Sequence, residues 1–277
     1  MDRIRLIASD LDATLLDEHS QLPPGFEETI HALAQKDIRF AAASGRPVYT
    51  LEEMFPSLRD DIIFVGDNGG AISWKGESLY VSEMEPQDWR TLAAQARNAG
   101  HAAVLCGLET AYVEEQFRPS DSVFKKFYTK VEYVPHLEDV TAPADKFTIY
   151  LPNGDSQSCY DQLYGPVWGE RFSVAVAGTH WVDIMNKGVD KGAALRHLGQ
   201  RLDIPVESMM AFGDTFNDAE MLNTVRYGFL MENGSPELRA QVPFLAPPNT
   251  EYGVMQVLRR VLAWNGEVSP DKFTKAH

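Results

Sequence analysis

The sequence predicts an α/β protein, a doubly wound parallel sheet with an inserted α+β cap domain. Three observations carry that prediction. Short apolar runs alternate with helical periodicity at the start of the chain. The same alternation returns after residue 187. Between these stretches the pattern changes to short strands with irregular connections. Strand–helix–strand alternation implies right-handed crossovers and a parallel sheet.

Ile4–Ser9 is a nearly continuous apolar run, the pattern of a strand buried on both faces. Leu22-Pro23-Pro24 then opens a helix whose Phe26, Ile30, Leu33 and Ala34 form one apolar face. Ile38–Ala43 is the next strand, followed by Ser44-Gly45-Arg46-Pro47 and a second helix. Ile62–Val65 is the third, ending at Gly66-Asp67-Asn68-Gly69-Gly70. In the middle section, Glu85–Ala99 and Ser156–Tyr164 read as helices. Ala102–Cys106, Ala111–Glu115, Val131–Val134 and Phe147–Leu151 read as strands, and Phe172–Ala177 with Trp181–Met185 as a strand pair. The α/β pattern resumes with a helix over Asp190–Leu202 and a strand over Met209–Phe212. Asn217–Leu222 reads as a helix, Tyr227–Met231 as a strand and Thr250–Trp264 as a closing helix. The tail from Asn265 to His277 is polar and is expected to be loose. The expected domains are 1–82 and 187–277 for the core and 83–186 for the insertion.

A chain of 277 residues with 44% hydrophobic and 10% aromatic side chains can bury a sizeable core. The formal charge of −15, from 40 acidic and 25 basic side chains, argues against broad nucleic-acid binding. A small anionic substrate remains compatible, because a metal ion and a few placed cations reverse a local field. Cys106 and Cys159 have no metal-type spacing and fit a reducing, cytoplasmic setting. The N-terminus reads as a strand, not a signal peptide, and no run of about 18 apolar residues predicts a membrane span. Nothing in the pattern specifies an oligomeric state.

Functional groups in such a sheet belong at the carboxyl ends of strands. Asp10-Leu11-Asp12 leaves the first strand with two carboxylates at i and i+2. One can bind Mg²⁺ and attack phosphorus while the other handles a proton. Ser44 offers a hydroxyl at another strand end, and the backbone at Gly45 can also reach a phosphate. Lys191 opens a helix, where its ammonium and the helix N-terminus both favour an anion. Gly213-Asp214-Thr215-Phe216-Asn217-Asp218 supplies hard oxygen ligands at a further strand end.

The stretches DLDATLL, AAASGRP, GDNGGAI, GVDKGAAL and FGDTFNDAEML, in this order, make the chain resemble the haloacid dehalogenase superfamily of phosphohydrolases. The closer resemblance is to its Cof-like branch with a type IIB α/β cap. It implies Asp10 as nucleophile and Mg²⁺ ligand, and Asp12 as general acid/base that also offers its backbone carbonyl to the metal. It implies Ser44, Lys191 and Asn217 as phosphate contacts, Asp214 as a metal ligand, and Asp218 as support for the metal shell and Lys191. Ala13 departs from the family's usual glycine, and GDNGG departs from its usual Glu-Asn-Gly-Ala. If position 13 requires φ > 0, alanine costs roughly 1–2 kcal/mol or shifts the turn.

Simpler roles compete with these. Ser44 can cap the following helix, Lys191 can be a solvated helix lysine, and Asp190 can be its N-cap. Arg46 can reach a substrate's organic part or form a structural ion pair. Trp181 and Asp183 can line a specificity pocket, although packing is the simpler role for Trp181. The expected activity is Mg²⁺-dependent hydrolysis of small phosphorylated metabolites, sugar phosphates foremost, through an aspartyl phosphate. The alternatives are a phosphotransferase or mutase, and a non-catalytic phosphosugar sensor, to which Ala13 points.

Overall fold

The computed structural model describes residues 2–276. The chain divides into two compact units. The first comprises Met1–Gly45, Phe55–Leu79 and Asp190–His277; the second comprises Arg46–Met54 and Tyr80–Val189. The assignment of Arg46–Met54 to the second unit is invisible to a linear reading of the chain.

The strands, in chain order, are β1 (Asp2–Arg3), β2 (Leu6–Ser9), β3 (Arg39–Ala43), β4 (Ile62–Gly66), β5 (Ala71–Trp74), β6 (Glu77–Val81), β7 (Ala102–Gly107), β8 (Ala111–Glu114), β9 (Val131–Val134), β10 (Ala144–Tyr150), β11 (Phe172–Val176), β12 (Trp181–Asn186), β13 (Met209–Gly213), β14 (Tyr227–Met231), β15 (Phe244–Ala246) and β16 (Glu267–Val268).

An eight-stranded sheet has the order β15-β14-β13-β2-β3-β4-β5-β6. Its strands from β15 through β4 are parallel, and β5 is antiparallel to β4. Every residue of β2, β4, β13 and β14 is buried, which is why these strands read as continuous apolar runs rather than alternating ones. The chain winds outward from β2 through β3 to β4, then returns beside β2 at β13 and winds the other way. Such a reversal opens a crevice beyond the carboxyl ends of the two central strands. Asp10 follows β2 and Asp214 follows β13.

The second unit contains a six-stranded sheet in the order β11-β12-β10-β7-β8-β9. All its pairings are antiparallel except β8 with β9. The helix Pro86–Ala99 packs Trp89, Leu92, Ala93 and Ala96 with Phe147, Ile149, Val182 and Ile184 from the sheet. A second apolar cluster gathers Val104, Cys106, Val113, Phe124, Tyr128 and Tyr150.

Several local expectations are corrected. The tail is docked: Asp2 pairs with Val268, and Arg3 with Glu267. Phe273 is 7% exposed and lies 5.0 Å from Phe229 and 5.8 Å from each of Tyr227, Phe244 and Trp264, centroid to centroid. One aromatic ring inserted among four others outweighs the polarity of its neighbours. His277 lies outside the described residues. The helix expected over Ser156–Tyr164 is regular only over Ser156–Cys159, passes through a wider turn, and resumes over Gly165–Trp168. Thr215 caps a tight turn over Phe216–Asp218 before the helix Ala219–Thr224 begins. The closing helix runs from Gly253 to Ala263.

Candidate active site

The segment after β2 is a wide turn, Leu11–Leu15, closed by a hydrogen bond from Leu16 N–H to the Leu11 carbonyl at 2.9 Å. Inside it Asp12 is extended and Ala13 is left-handed, with φ 61° and ψ 7°. The condition posed by the sequence is therefore met, and alanine pays roughly 1–2 kcal/mol there. Asp10 is 7% exposed, whereas Asp12 is exposed. Thr14 Oγ1 donates to Asp214 Oδ1 at 3.3 Å and ties this turn to the one after β13.

The helix Lys191–Leu202 starts beside these turns because Asp190 caps it, accepting from Ala193 N–H at 2.6 Å. Lys191 is wholly buried, and its Nζ donates to Asp10 Oδ1 and Asp218 Oδ1, both at 2.6 Å. The other oxygen of Asp218 accepts from Asp214 N–H at 2.9 Å and Thr215 N–H at 3.2 Å. Gly213 permits this closeness, since a Cβ there would lie 2.4 Å from that of Asp218. Asp10, Asp214 and Asp218 each offer an oxygen within 4.8 Å of the others.

A third part comes from the ends of β3 and β4. Ser44 is 3% exposed, and its carbonyl accepts from Asn68 N–H at 2.9 Å. The Asn68 amide packs against Gly45 and accepts from Asn217 Nδ2 at 3.3 Å. Asn217 also accepts from Thr215 Oγ1 at 2.5 Å. Asn68 thus joins the Ser44–Gly45 turn to the Asp214 loop.

The electrostatics are unbalanced. Burial pushes the Asp10 carboxyl well above its ordinary value; Lys191 opposes this, while Asp218 and Asp214 add to it. Burial, then Asp218, raises Asp214 to about 7. Burial disfavours the Lys191 ammonium, but contacts with Asp10 and then Asp218 outweigh it and hold the ammonium above the ordinary lysine value. Three buried carboxylates thus face one ammonium. Their hard oxygen donors and surplus negative charge suit a divalent cation such as Mg²⁺.

The remaining residues singled out from the sequence belong to the second unit and have partners within it. Arg46 Nη1 donates to the Lys126 carbonyl at 2.7 Å, and its guanidinium lies 5.4 Å from the Phe127 ring centre. Trp181 packs among Tyr150, Phe127 and Phe124 at 4.8, 5.5 and 6.3 Å. Asp183 is 5% exposed and accepts from Thr148 Oγ1 at 2.5 Å.

A family model for haloacid dehalogenase-like hydrolases matches residues 7–258. The chain belongs to this family. It is an enzyme of the phosphomonoester hydrolase type. It is 28% identical over 262 residues to 5-amino-6-(5-phospho-D-ribitylamino)uracil phosphatase YbjI of Escherichia coli K12, covering 94% of this chain and 96% of that one. It is 30% identical over 253 residues to HMP-PP phosphatase of Escherichia fergusonii, covering 87% and 89%. Among solved structures, the subclass IIB sugar phosphatase BT4131 superposes with a TM-score of 0.78 at 19% identity, covering 92% and 98%, a likeness of fold.

Sequence reasoning passed over Thr14, Asn68, Asn233 and Asn249 as individual residues. Thr14 and Asn68 lie inside quoted motifs at strand ends, which was the available signal. Asn233 and Asn249 reach the Asp10 turn only through the fold.

Proposed function

We propose that this chain is a Mg²⁺-dependent phosphatase of small phosphorylated metabolites, with Asp10 as its covalent nucleophile. The observation that carries this is the convergence of Asp10, Asp214 and Asp218 within 4.8 Å around the buried Lys191 ammonium. Asp10, Asp214 and the Asp12 backbone carbonyl would hold Mg²⁺, which neutralises charge on the phosphoryl oxygens when bound. An Asp10 oxygen forms a bond to phosphorus as the ester P–O bond breaks. Asp12, exposed at the mouth of the turn, donates a proton to the departing alkoxide and then removes one from the water that cleaves the acyl phosphate. Lys191 reduces repulsion between the carboxylate and the phosphate dianion, and Ser44, Gly45 and Asn217 hold the other oxygens. Asp218 has both oxygens engaged by Lys191 and two backbone N–H groups, which suits support of Lys191 and Asp214.

The second unit corresponds to the inserted cap of this superfamily, expected over residues 83–186. Substrates are phosphate esters of sugars or sugar alcohols, in keeping with a relative named for a phosphoribityl compound. Cys106 and Cys159 form no disulfide among the described residues, which suits a cytoplasmic setting, and no helix among the described residues is long and apolar enough to cross a membrane.

Hydrolysis of p-nitrophenyl phosphate tests the reading. EDTA abolishes turnover and Mg²⁺ restores it, while Asp10→Asn lowers kcat by about 10³-fold or more with the fold retained. Full resistance to chelation or normal turnover by Asp10→Asn contradicts it. The strained Ala13 favours one second reading, a phosphosugar sensor. Tight binding of sugar phosphates without phosphate release would select it, and transfer of labelled phosphate to a sugar hydroxyl would instead indicate a phosphotransferase.

A further inference from the structure

Two asparagines outside the roles above grip the turn that carries Asp10. Asn233 follows β14, and its Nδ2 donates to the Ala13 carbonyl at 2.8 Å. Its Oδ1 accepts from Asn249 N–H at 3.0 Å. Asn249 is 7% exposed and sends its own Nδ2 to the Leu16 carbonyl at 2.9 Å. One amide thus holds the middle of the turn and the other holds its end. The segment around Asn233 also holds Asp214, because Ser235 N–H donates to the Asp214 carbonyl at 2.7 Å. Gly234 is pressed so close that a Cβ would stand 2.6 Å from the same oxygen. The stretch from Asn233 to Ser235 therefore touches both loops that supply the site's carboxylates.

The residue Asn233 grips is the strained one. Alanine at φ 61° is uphill of its ordinary conformations. If the peptide relaxed to negative φ, the chain direction would change between Asp10–Asp12 and Thr14, which donates to Asp214. A side-chain amide donating to the Ala13 carbonyl favours the peptide orientation seen here.

We propose that Asn233, seated by Asn249, is a positioning residue for phosphoryl transfer, holding Ala13 left-handed so that the Asp10 and Asp214 turns keep their spacing. This rests on the phosphatase reading. Asn233 is exposed, so truncating it removes no core packing. The rival is a purely structural hydrogen bond, and the two separate in a double-mutant cycle with position 13. Glycine takes positive φ about as readily as negative, so a chain with Gly at 13 has less strain for the clamp to resist.

The experiment compares the parent, Asn233→Ala, Ala13→Gly and the double variant, each with Mg²⁺ and p-nitrophenyl phosphate, alongside thermal melts. Asn233→Ala lowers kcat on the order of 10-fold and leaves KM within about twofold, because it misplaces the reacting groups. In the Ala13→Gly background the same substitution lowers kcat by about twofold or less, the signature of coupled sites. Asn233→Asp keeps the acceptor for Asn249 N–H but loses the donor to Ala13, and it behaves like Asn233→Ala. Unchanged kcat in Asn233→Ala, or an equal loss in both backgrounds, overturns the proposal. Asp10→Asn runs in parallel. Turnover by that variant defeats the phosphatase reading itself, whereas its inactivity beside an indifferent Asn233→Ala defeats only the clamp.

Discussion

The two units both bury charge, and they do so in opposite ways. In the second unit, Arg97 donates to Glu114 through Nε at 3.1 Å and Nη2 at 2.5 Å, and to Glu138 as well. Glu114 also accepts from Gln116 Nε2 at 2.8 Å and Leu137 N–H at 3.4 Å. Burial alone would raise the Glu114 carboxyl, but the Arg97 contact and these further donors hold it below its ordinary value. In the first unit, Asp10 and Asp214 are pushed upward, and the Lys191 ammonium, bonded to Asp10 and Asp218, opposes the rise in both without reversing it. One buried group is satisfied in its charged form; the other becomes comfortable only when more positive charge arrives. Burying carboxylates with too few partners opposes folding, and sites that do so are candidates for chemistry.

The largest test of this contrast is Asp214→Asn. It lowers kcat with Mg²⁺ by about 10³-fold or more, yet stabilises the metal-free protein at neutral pH. The sign follows from the raised carboxyl. A group that holds its proton more tightly when folded contributes stability fully below its ordinary value of 3.8 and loses it as pH rises through about 7. In EDTA, the stability of Asp214→Asn relative to the parent therefore grows from near zero at about pH 4 to on the order of 2–4 kcal/mol above about pH 7. Denaturant titrations across that range read it directly, and a flat difference would show that Asp214 carries no such cost.

Glu114→Ala is the opposite experiment. Removing a satisfied, mostly buried carboxylate destabilises the protein by about 2–3 kcal/mol and leaves kcat per folded molecule unchanged. Stabilisation by this variant would erase the distinction between the units. The smallest effect belongs to Ala13→Gly. Relief of left-handed strain, offset by the greater freedom of glycine in the unfolded chain, leaves a gain of about 1 kcal/mol or less in urea titrations. A clear loss of stability would mean that the turn is not strained by alanine.

Much of the first unit was legible because its strands are buried on both faces and end in chemistry. Leu6–Ser9, Arg39–Ala43 and Met209–Gly213 each stand out as apolar runs, and Asp10, Ser44 and Asp214 follow directly. The meeting of Asp10 with Asp214 depends on β13 lying beside β2, an order that the alternation of elements alone does not specify. Less local features were hidden. β5 is short and antiparallel, and it directly follows a glycine-rich turn. The tail reads as polar because few of its side chains are apolar, while backbone pairing to Asp2 and Arg3 and the buried Val268 and Phe273 dock it. Asn233 and Asn249 look like ordinary turn residues, since their partners at Ala13 and Leu16 lie more than two hundred positions away in sequence. Arg46, Trp181 and Asp183 drew notice as residues with functional chemistry, yet hydrogen bonds and ring packing within their own unit account for the contacts described.

The central claim is that Asp10 attacks phosphorus. A crystal structure with Mg²⁺ and beryllium trifluoride, a mimic of the phosphoryl group, tests it most directly. The account predicts a tetrahedral fluoride adduct joined to an Asp10 carboxylate oxygen, with Lys191 against its fluorines. An adduct on any other side chain, or a free fluoride complex with the Asp10 carboxylate turned away, would contradict it.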